Sequence, residues 1–378
     1  MSFARGLCHP TPPMSKECNL GVTGETNALE PGRTARPTID DVAALAGVGR
    51  ASVSRALNDQ ANVSARMRER VMQAVKALDY RVNPQARSLA SRSGKALTLI
   101  NCTAFDADPN SYYFAALELG GLRAAAIAGF ELSTLNIDVD DPYRSEKVIE
   151  LFESGRSAGV ILAPPLSDDS ALAAALAERK CPVVCVSPSD AVREILPGVG
   201  FDEAGAGEEV GKLVLAHGHR RFGYLLGIEG HLSAEKRFDG FLRALAQAGL
   251  GAEAVTPLRG NFSFRSGVEL GQGLLDSATR PTAIVCANDD MAVGALFAAH
   301  RMHLVVPDDI SIVGFDDAPI SAHIWPPLTT VHQPIRRIAA SAVEQLVEML
   351  LRGQAPRPRF ETIGYHLVER ESLATARD

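Results

Sequence analysis

Hydrophobic and polar residues follow two different patterns along this chain, and the change falls near residue 95. Between residues 38 and 78, apolar residues recur at helical spacing in three short stretches. After Ala96, short apolar runs alternate with amphipathic stretches. A period of about 3.6 residues predicts amphipathic helices, whereas apolar runs between turn residues predict buried strands. The pattern therefore predicts a small helical domain followed by a larger α/β domain, which the length of 378 residues also favours.

The helical domain is predicted to contain three helices. Thr38 and Asp41 have the spacing of a capping box, and Gly47 has the position of a helix stop. A second helix follows over Arg50 to Leu57, and Ser64 is a suitable cap for a third. Two short helices joined by a tight glycine turn form a helix-turn-helix, so this motif is predicted here.

The larger domain is predicted to contain two series of strand–helix units. The first series of strands is ALTLINCT, FELSTLNI, GVILAPP and PVVCVSP, and the second is FGYLLGI, TAIVCAN and SIVGFDD. The helices are predicted near 113–128, 142–155, 168–180, 232–248, 264–276 and 289–301. Such repeats predict parallel, doubly wound sheets in two lobes. Ligands of these folds bind beyond the carboxyl ends of the strands, which predicts a ligand in the cleft between the lobes.

Charge is distributed unevenly along the chain. The net charge is −7, yet residues 36–95 contain eleven Lys/Arg and five Asp/Glu, whereas residues 96–378 contain 24 basic and 37 acidic residues. Salt screening limits the reach of the acidic part to about 10 Å, so a polyanion senses the local basic patch. The helical domain is therefore predicted to bind nucleic acid, and a merely solvated basic surface is the alternative.

Several function classes lack their signatures in this sequence. No apolar run approaches eighteen residues, and residues 1–35 have no secretory pattern. The six cysteines form no CxxC pair, which favours a reducing cytoplasm without a disulfide framework. The segment from Gly205 to Lys212 imitates a phosphate loop but lacks the Ser or Thr that binds magnesium. His217 and His219 are predicted to stabilise a turn, so we expect no metal site there. Because the signatures of the other function classes are missing, we also expect no cofactor and no catalysis.

The helical domain resembles a known family. The stretches DVAALAGVGRASVSRALN, VSARMRERV and LDYRVNPQARSLA are similar, in order and spacing, to the headpiece and hinge of the LacI/GalR transcription regulators. The resemblance implies that the second helix lies in the major groove, where an arginine pairs with guanine. The DNA-contacting residues it implies are Arg50, Ala51, Ser52, Ser54, Arg55, Asn58 and Leu89. Gly49 and Ser52 replace the usual Ser and Thr of the family, which weakens one cap and one phosphate contact.

The segment around Leu89 is too short and too polar to form a stable helix alone. The resemblance implies a hinge helix that folds on DNA and inserts Leu89 into the minor groove, while a flexible linker is the alternative. The predicted domains are a disordered extension (1–35), a headpiece (36–82), a hinge (83–94) and an effector-binding core (95–378). Within the core, one lobe is predicted over about 95–219 and 333–357, and the other over about 220–332 and 358–378.

The resemblance extends across the α/β part. RFDGFLRAL, RPTAIVCANDDMAVGAL and VPDDISIVGFDD are similar to the family's effector domain, which itself resembles periplasmic sugar-binding proteins. The effector contacts that this implies are Asp202, Arg237, Phe262 and Asp289, with Tyr113, His231 and Ser233 at positions that vary with the ligand. Charged groups hold the hydroxyls of a sugar and an aromatic face covers its ring. Asp289 as a helix cap, Arg237 as a bridge between lobes and Phe262 as core are the structural alternatives.

Together these features predict a homodimeric, cytoplasmic transcription regulator, a repressor rather than an activator, on a near-palindromic DNA operator. A small sugar between the lobes would control its operator affinity by binding one of two states more tightly. The tail after the last predicted strand, FETIGYHLV, offers Leu373 and no leucine heptads, which predicts a dimer rather than a tetramer. A sugar-binding module and a sugar-modifying enzyme with a basic accessory domain are the alternatives.

Overall fold

The computed structural model describes residues 37–57, 63–78, 80, 95–103 and 111–377, and it excludes the side chains of Ala51, Ser54 and Ser111. The chain forms two compact units, Met1–Arg87 and Ser88–Asp378. The predicted extension over 1–35 and the predicted hinge, with Leu89, lie outside the described residues. Asn58 lies outside them as well.

The first unit contains the three predicted helices. They are α1 (Ile39–Ala46), α2 (Arg50–Leu57) and α3 (Ala65–Ala77). The capping box is present, because the Thr38 hydroxyl accepts from the Asp41 amide and the Asp41 carboxylate accepts from the Thr38 amide. Gly47 ends α1 with a φ of 61°, a left-handed conformation that glycine adopts without steric cost. The helix-turn-helix prediction is confirmed.

The core of this first unit takes one valine from each helix. Val42, Val53 and Val71 are fully buried and lie in one cluster. Arg70 of α3 donates hydrogen bonds to the carbonyl oxygens of Ala46 and Gly47, where α1 ends. A cation at the carboxyl end of a helix satisfies carbonyl groups that have no partner within the helix. This contact fixes the turn that precedes α2.

The second unit contains twelve strands and ten α-helices among its described residues. The strands are β1 (Ala96–Cys102), β2 (Glu131–Ile137), β3 (Gly159–Leu162), β4 (Val183–Val186), β5 (Pro197–Gly200), β6 (Phe222–Leu226), β7 (Val255–Arg259), β8 (Ala283–Cys286), β9 (Ser311–Val313), β10 (Thr330–His332), β11 (Arg359–Thr362) and β12 (His366–Val368). The helices are α4 (Ser111–Ala128), α5 (Arg144–Glu153), α6 (Ser170–Glu178), α7 (Asp190–Arg193), α8 (Glu203–Ala216), α9 (Leu232–Gln247), α10 (Phe264–Leu275), α11 (Asp289–Arg301), α12 (Pro319–His323) and α13 (Ile335–Arg352).

Two parallel sheets define two lobes. The first lobe is built on six strands in the order β11-β5-β4-β3-β1-β2, and the second on four strands in the order β7-β6-β8-β9. All pairings within each sheet are parallel, whereas β10 and β12 pair antiparallel in a separate two-stranded sheet. The predicted two-lobed α/β fold with parallel sheets is confirmed. Because the strands of a lobe are parallel, their carboxyl ends lie at one edge of its sheet.

The observed boundaries between the two lobes differ from both predicted boundaries. Helix α8, predicted in the first lobe, packs against α9 of the second lobe so closely that a Cβ at Gly207 would lie 1.8 Å from the Arg237 carbonyl oxygen. The second lobe therefore begins just after β5 rather than near 220. The segment FETIGYHLV, predicted as one strand, forms β11 in the first lobe and β12 in the two-stranded sheet. Ile363, Gly364 and Tyr365 separate these two short strands.

The four cysteines of the described part are unbonded and buried, and they are Cys102, Cys181, Cys185 and Cys286. Cys181 and Cys185 lie in an apolar cluster of the first lobe, where they pack as small apolar residues. Burial raises the pKa of Cys102 to about 11 and that of Cys181 to about 12. Among the residues described here, no helix is both long enough and apolar enough to cross a membrane.

Candidate DNA-binding and effector sites

Helix α2 presents two arginines to solvent. The Arg50 side chain is 70% exposed, and its Nη1 lies 3.5 Å from the Asp40 carboxylate of α1. An ion pair this exposed contributes little to stability, so Arg50 can exchange it for a phosphate or a base. Arg55 is also exposed, while Ser52 is half-buried. The guanidinium groups of Arg50 and Arg55 are suited to bidentate pairing with guanine in the major groove.

Polar side chains from both lobes of the second unit converge at the carboxyl ends of the strands. Electrostatic interactions join Tyr113, whose pKa is raised by burial, to four of them. These five residues are called the inter-lobe cluster below: Tyr113, Asp168, Glu203, Arg237 and Asp316. Asp168 follows β3 of the first lobe, and Glu203 and Arg237 lie on helices of the second lobe. The structure therefore brings the predicted residues Tyr113 and Arg237 together.

Arg237 is buried, and two of its three side-chain nitrogens donate hydrogen bonds. Its Nε donates to Glu203 Oε2 at 2.6 Å, and its Nη1 donates to the Ala287 carbonyl at 3.0 Å. The guanidinium also lies 4.0 Å from the centre of the Phe315 ring. Burial disfavours the charged form, but the adjacent Glu203 carboxylate outweighs it, so the pKa of Arg237 is raised. The arginine is thus fixed in place and charged before any ligand binds.

Asp289 is completely buried at the start of α11, and its carboxylate is already hydrogen-bonded. Oδ2 accepts from the Ala318 amide at 2.7 Å, and Oδ1 accepts from the Thr330 hydroxyl at 2.6 Å. Burial raises the pKa of Asp289 to about 8. The helix is capped by the preceding Asn288, whose Oδ1 accepts from the Met291 amide at 3.1 Å. Capping by Asp289, the structural alternative considered above, is therefore wrong.

Phe262 and His231 form an aromatic pair beside these polar groups. Their ring centres are 4.9 Å apart in an edge-to-face arrangement. Phe262 has a φ of 65°, and its carbonyl accepts from Asn288 Nδ2 at 2.9 Å. Gly227 makes room for the ring, since a Cβ there would lie 1.9 Å from Phe262 Cζ. Burial lowers the pKa of His231 to about 4, and its Nδ1 has no hydrogen-bond partner.

The remaining predicted effector contacts differ in their surroundings. Ser233 is buried on α9. Asp202, in contrast, is exposed and caps α8, because its Oδ1 accepts from the Gly205 amide at 2.8 Å. The acid that faces Arg237 is the next residue, Glu203. Sequence reasoning missed Glu203, although a buried arginine requires a nearby carboxylate and the Asp202-Glu203 pair was visible in the sequence.

Sequence reasoning also missed Ser167 and Asp168, which follow β3 in the run PPLSDD. Both have buried side-chain oxygens without a hydrogen-bond partner. The paired aspartates after a buried strand were the available signal. His217 and His219 stabilise a turn as predicted: His217 Nδ1 lies 3.0 Å from the Leu213 carbonyl, and His219 lies between Thr282 and the Ala374 carbonyl. Within the described ranges, no group of three or more His, Cys, Asp or Glu side chains is placed to hold a metal ion.

Known proteins match both units. Residues 38–83 match the family described as bacterial regulatory proteins, lacI family, and residues 212–373 match a periplasmic binding protein-like domain. The HTH-type transcriptional regulator CelR of Thermobifida fusca is 31% identical over 346 residues, which cover 90% of this chain and 99% of CelR.

Two solved structures are similar along most of the chain. A CelR–cellobiose complex has 29% identity and a TM-score of 0.65, and covers 89% of this chain and 100% of its own. A lac repressor dimer bound to operator and the anti-inducer ONPF has 26% identity and a TM-score of 0.77, and covers 90% of this chain and 100% of its own. Because the similarity spans a complete regulator and the helix-turn-helix matches separately, this chain belongs to the lacI family of bacterial regulatory proteins and is a DNA-binding transcriptional regulator.

Proposed function

We propose that this regulator represses transcription by binding a near-palindromic operator as a homodimer, and that a small sugar between its lobes changes its operator affinity. It acts in the cytoplasm, where its DNA lies, and by binding rather than catalysis. The observation that carries the proposal is the pair of exposed arginines on α2, presented directly after a glycine turn. With Ala51, Ser52, Ser54 and Asn58, Arg50 and Arg55 form the proposed DNA-contacting set, and Leu89 inserts into the minor groove.

Two copies of the chain are needed for useful specificity. One recognition helix reads too few base pairs to select a site in a genome, whereas two helices on two half-sites do so. The lac repressor structure that resembles this chain is a dimer bound to operator, which supports the same arrangement here.

The inter-lobe cluster supports a sugar as the effector. Fixed charges on Arg237 and Glu203 and the aromatic pair of Phe262 and His231 offer hydroxyl partners and a ring-covering face. Tyr113, Ser233, Asp289 and Asp202 complete the proposed contacts. The CelR structure, which is similar to 89% of this chain, contains cellobiose. A sugar that contacts both lobes binds one lobe arrangement more tightly, and thereby changes the state that binds DNA.

The DNA part of the proposal is tested with duplexes selected from a random pool by the full-length protein. We expect selected sequences to be near-palindromic, and Arg55→Ala to weaken binding to them by about 1–3 kcal/mol while relaxing preference at one base pair. Arg265→Ala, which removes an exposed arginine of the second unit, is the matched control and should bind normally. Equal losses on selected and random duplexes would show that Arg55 contacts phosphate only.

The effector part is tested by titrating the selected duplex complex with cellobiose and ribose. A sugar that shifts operator affinity supports the proposal, and the direction of the shift distinguishes an inducer from a corepressor. An unchanged affinity with every neutral sugar would contradict a sugar effector.

A further inference from the structure

Asp168 is an unusual carboxylate within the inter-lobe cluster. Both of its oxygens are buried and neither has a well-formed hydrogen bond to the chain, although the Ser189 amide lies close enough to lower the pKa of the carboxyl. The neighbouring Ser167 is fully buried, and its hydroxyl has no partner either. A buried polar group without a partner costs free energy, and a charged one costs more. Folding alone therefore gives no reason for an acid here.

The adjacent aspartate shows what a structural role looks like at this place in the chain. Asp169 Oδ1 accepts from the amides of Ala171 and Leu172, both at 2.9 Å, and so caps α6. Its Oδ2 accepts from the Ser145 hydroxyl at 3.2 Å. The two neighbouring acids are thus used differently: Asp169 holds the fold, and Asp168 is left for a group outside the chain.

The charges that surround Asp168 come from both lobes, and the cations among them are already engaged. Asp168 interacts electrostatically with Lys236 and Glu203 of the second lobe and with Arg193 of the first. Lys236 Nζ lies 2.8 Å from Asp190, and Arg193 Nη1 lies 3.6 Å from the same carboxylate. Neither cation forms an ion pair with Asp168.

Acidic side chains outnumber basic ones around the cluster. Glu203 interacts electrostatically with Asp168, and Asp289 and Asp316 are buried in the second lobe. The Nε and Nη1 of Arg237 donate to Glu203 and to the Ala287 carbonyl. In the described part of the cluster, each of these cations is therefore held by an acid of the chain. A carboxylate or phosphate on a ligand would meet the negative charge of Asp168 near neutral pH, and the cations that could receive it are already bound to acids of the chain.

We infer that the effector is an uncharged sugar whose hydroxyl groups donate hydrogen bonds to Asp168, and that Asp168 excludes uronates and sugar phosphates from the site. This inference rests on the proposed function for the existence of a sugar effector. Hydroxyl donors satisfy both carboxylate oxygens, which removes the desolvation cost that the ligand-free site carries. The Ser167 hydroxyl supplies a further partner next to them.

The protonation behaviour of Asp168 fits this role. Burial raises its pKa to about 6, against the lowering influence of the Ser189 backbone amide and the two nearby cations. Because the folded-state pKa is raised above the usual value near 3.8, the carboxyl's contribution to stability is present at low pH and is lost as the pH rises through about 6. Near neutral pH the group is therefore an anion that destabilises the ligand-free protein.

The charge selectivity is tested on the full-length protein with matched sugars at pH 7.5. The neutral members are glucose, galactose, ribose and cellobiose, and the anionic members are glucuronate, galacturonate, glucose 6-phosphate and ribose 5-phosphate. We expect a neutral sugar to raise Tm, and its anionic counterpart to need about tenfold more or greater concentration for the same shift. An anionic sugar that stabilises more than its neutral parent, or no shift with any neutral sugar, would overturn the inference.

The role of Asp168 itself is tested with Asp168→Asn, with Asp169→Asn as the matched control. Without sugar, Asp168→Asn should raise Tm by roughly 2–4 °C at pH 8 and by less at pH 5, because it removes a buried charge. The same variant should weaken binding of the stabilising sugar about tenfold or more. Asp169→Asn retains a capping side chain and should change neither quantity. Unchanged sugar affinity in Asp168→Asn would refute the assignment.

Separate measurements test operator binding by this protein and its preference for uncharged sugars. Selective operator binding by the sugar-free wild-type protein tests the proposed function without involving Asp168. If operator binding is present and the sugar series shows no preference for neutral members, then the charge assignment alone is wrong. If the protein selects no duplex, the proposed function is wrong whatever the sugars show.

Discussion

The two sides of the proposed effector site satisfy their polar groups differently. In the second lobe, Asp289 and Asn288 each satisfy their side-chain oxygens with protein donors, and Asp316 accepts from Gln333 at 2.6 Å. In the first lobe, Ser167 and Asp168 have buried oxygens without partners. The second-lobe wall therefore has its acids satisfied in the absence of a ligand, with His231 Nδ1 as its one unpartnered group named above, while Ser167 and Asp168 in the first lobe gain partners only when a ligand arrives.

This difference separates two tasks that a ligand-controlled protein must perform. A wall with satisfied hydrogen bonds is rigid and holds its charges in place at no further cost on binding. A wall with unsatisfied polar groups gains hydrogen bonds only when a matching ligand binds. The ligand therefore favours the conformation in which it reaches these groups, and this differential affinity shifts the conformational equilibrium. The substitutions below remove contacts of the second-lobe wall or of residues that support it, in order of decreasing loss of stability.

The largest effect is expected from Glu203→Ala. This change leaves the Arg237 guanidinium buried without its carboxylate, and breaking a buried pair from one side costs about 3–5 kcal/mol. Urea unfolding measures the loss. Glu344→Ala, which breaks the exposed pair with Arg337, is the control and should leave stability nearly unchanged. Equal losses in the two variants would mean that the Glu203–Arg237 pair is not part of a fixed wall.

Asp289→Ala should come next. It leaves the Ala318 amide and the Thr330 hydroxyl without an acceptor, at about 1–3 kcal/mol for each group. Asp290→Ala removes a neighbouring carboxylate that accepts neither hydrogen bond, and should cost less in the same urea titration. A larger loss in Asp290→Ala would show that the second-lobe wall is held by other contacts.

The same carboxyl predicts a dependence on pH. Because the folded-state pKa of Asp289 is raised to about 8, its contribution to stability is full below pH 4 and declines as the pH rises through 8. The Tm of the wild type minus that of Asp289→Asn should therefore fall between pH 5 and pH 8.5. A difference that rises with pH over this range would contradict a carboxyl whose charged form is disfavoured by burial.

The smallest effect is expected at Gly227. A methyl group there would overlap the Phe262 ring, and overpacking of this kind costs about 1–3 kcal/mol. Gly273→Ala is a control of opposite sign: a Cβ there meets nothing within 4 Å, so alanine in helix α10 should stabilise by about 0.5–1 kcal/mol. Thermal unfolding compares the two. Stabilisation by Gly227→Ala would show that Phe262 is free to move.

Elements with a strong local pattern could be predicted from the sequence. The amphipathic stretch after Asn288 predicted α11 with its observed limits, and Thr38 and Gly47 predicted both ends of α1. Strand β5 was missed, because Pro197-Gly-Val-Gly200 has little tendency to form a strand, and its place between β4 and β11 comes from tertiary packing. The division of FETIGYHLV between two sheets was missed for the same reason.

The residues of the proposed effector site could also be predicted only in part. Motif resemblance identified Arg237 and Phe262, which do lie beside the inter-lobe cluster or within it. It named Asp202 where the structure places an exposed helix cap, and it passed over Glu203 and Asp168. Whether a carboxylate is buried or exposed depends on contacts between segments distant in sequence, and neighbouring acids such as Asp168 and Asp169 cannot be told apart without them.

The buried thiols give the two lobes separate chemical reporters. Cys185 on β4 interacts electrostatically with Asp168, and Cys286 on β8 with Asp289, so each lies near one wall of the effector site. A thiol reacts with iodoacetamide as the thiolate and when solvent reaches it, so its alkylation rate measures how often that part of the protein opens. In a Cys8→Ser, Cys18→Ser background, mass spectrometry of the peptides that contain Cys185 and Cys286 would give an opening rate for each lobe. Repeating the measurement with a bound sugar would show in which lobe the opening rate falls.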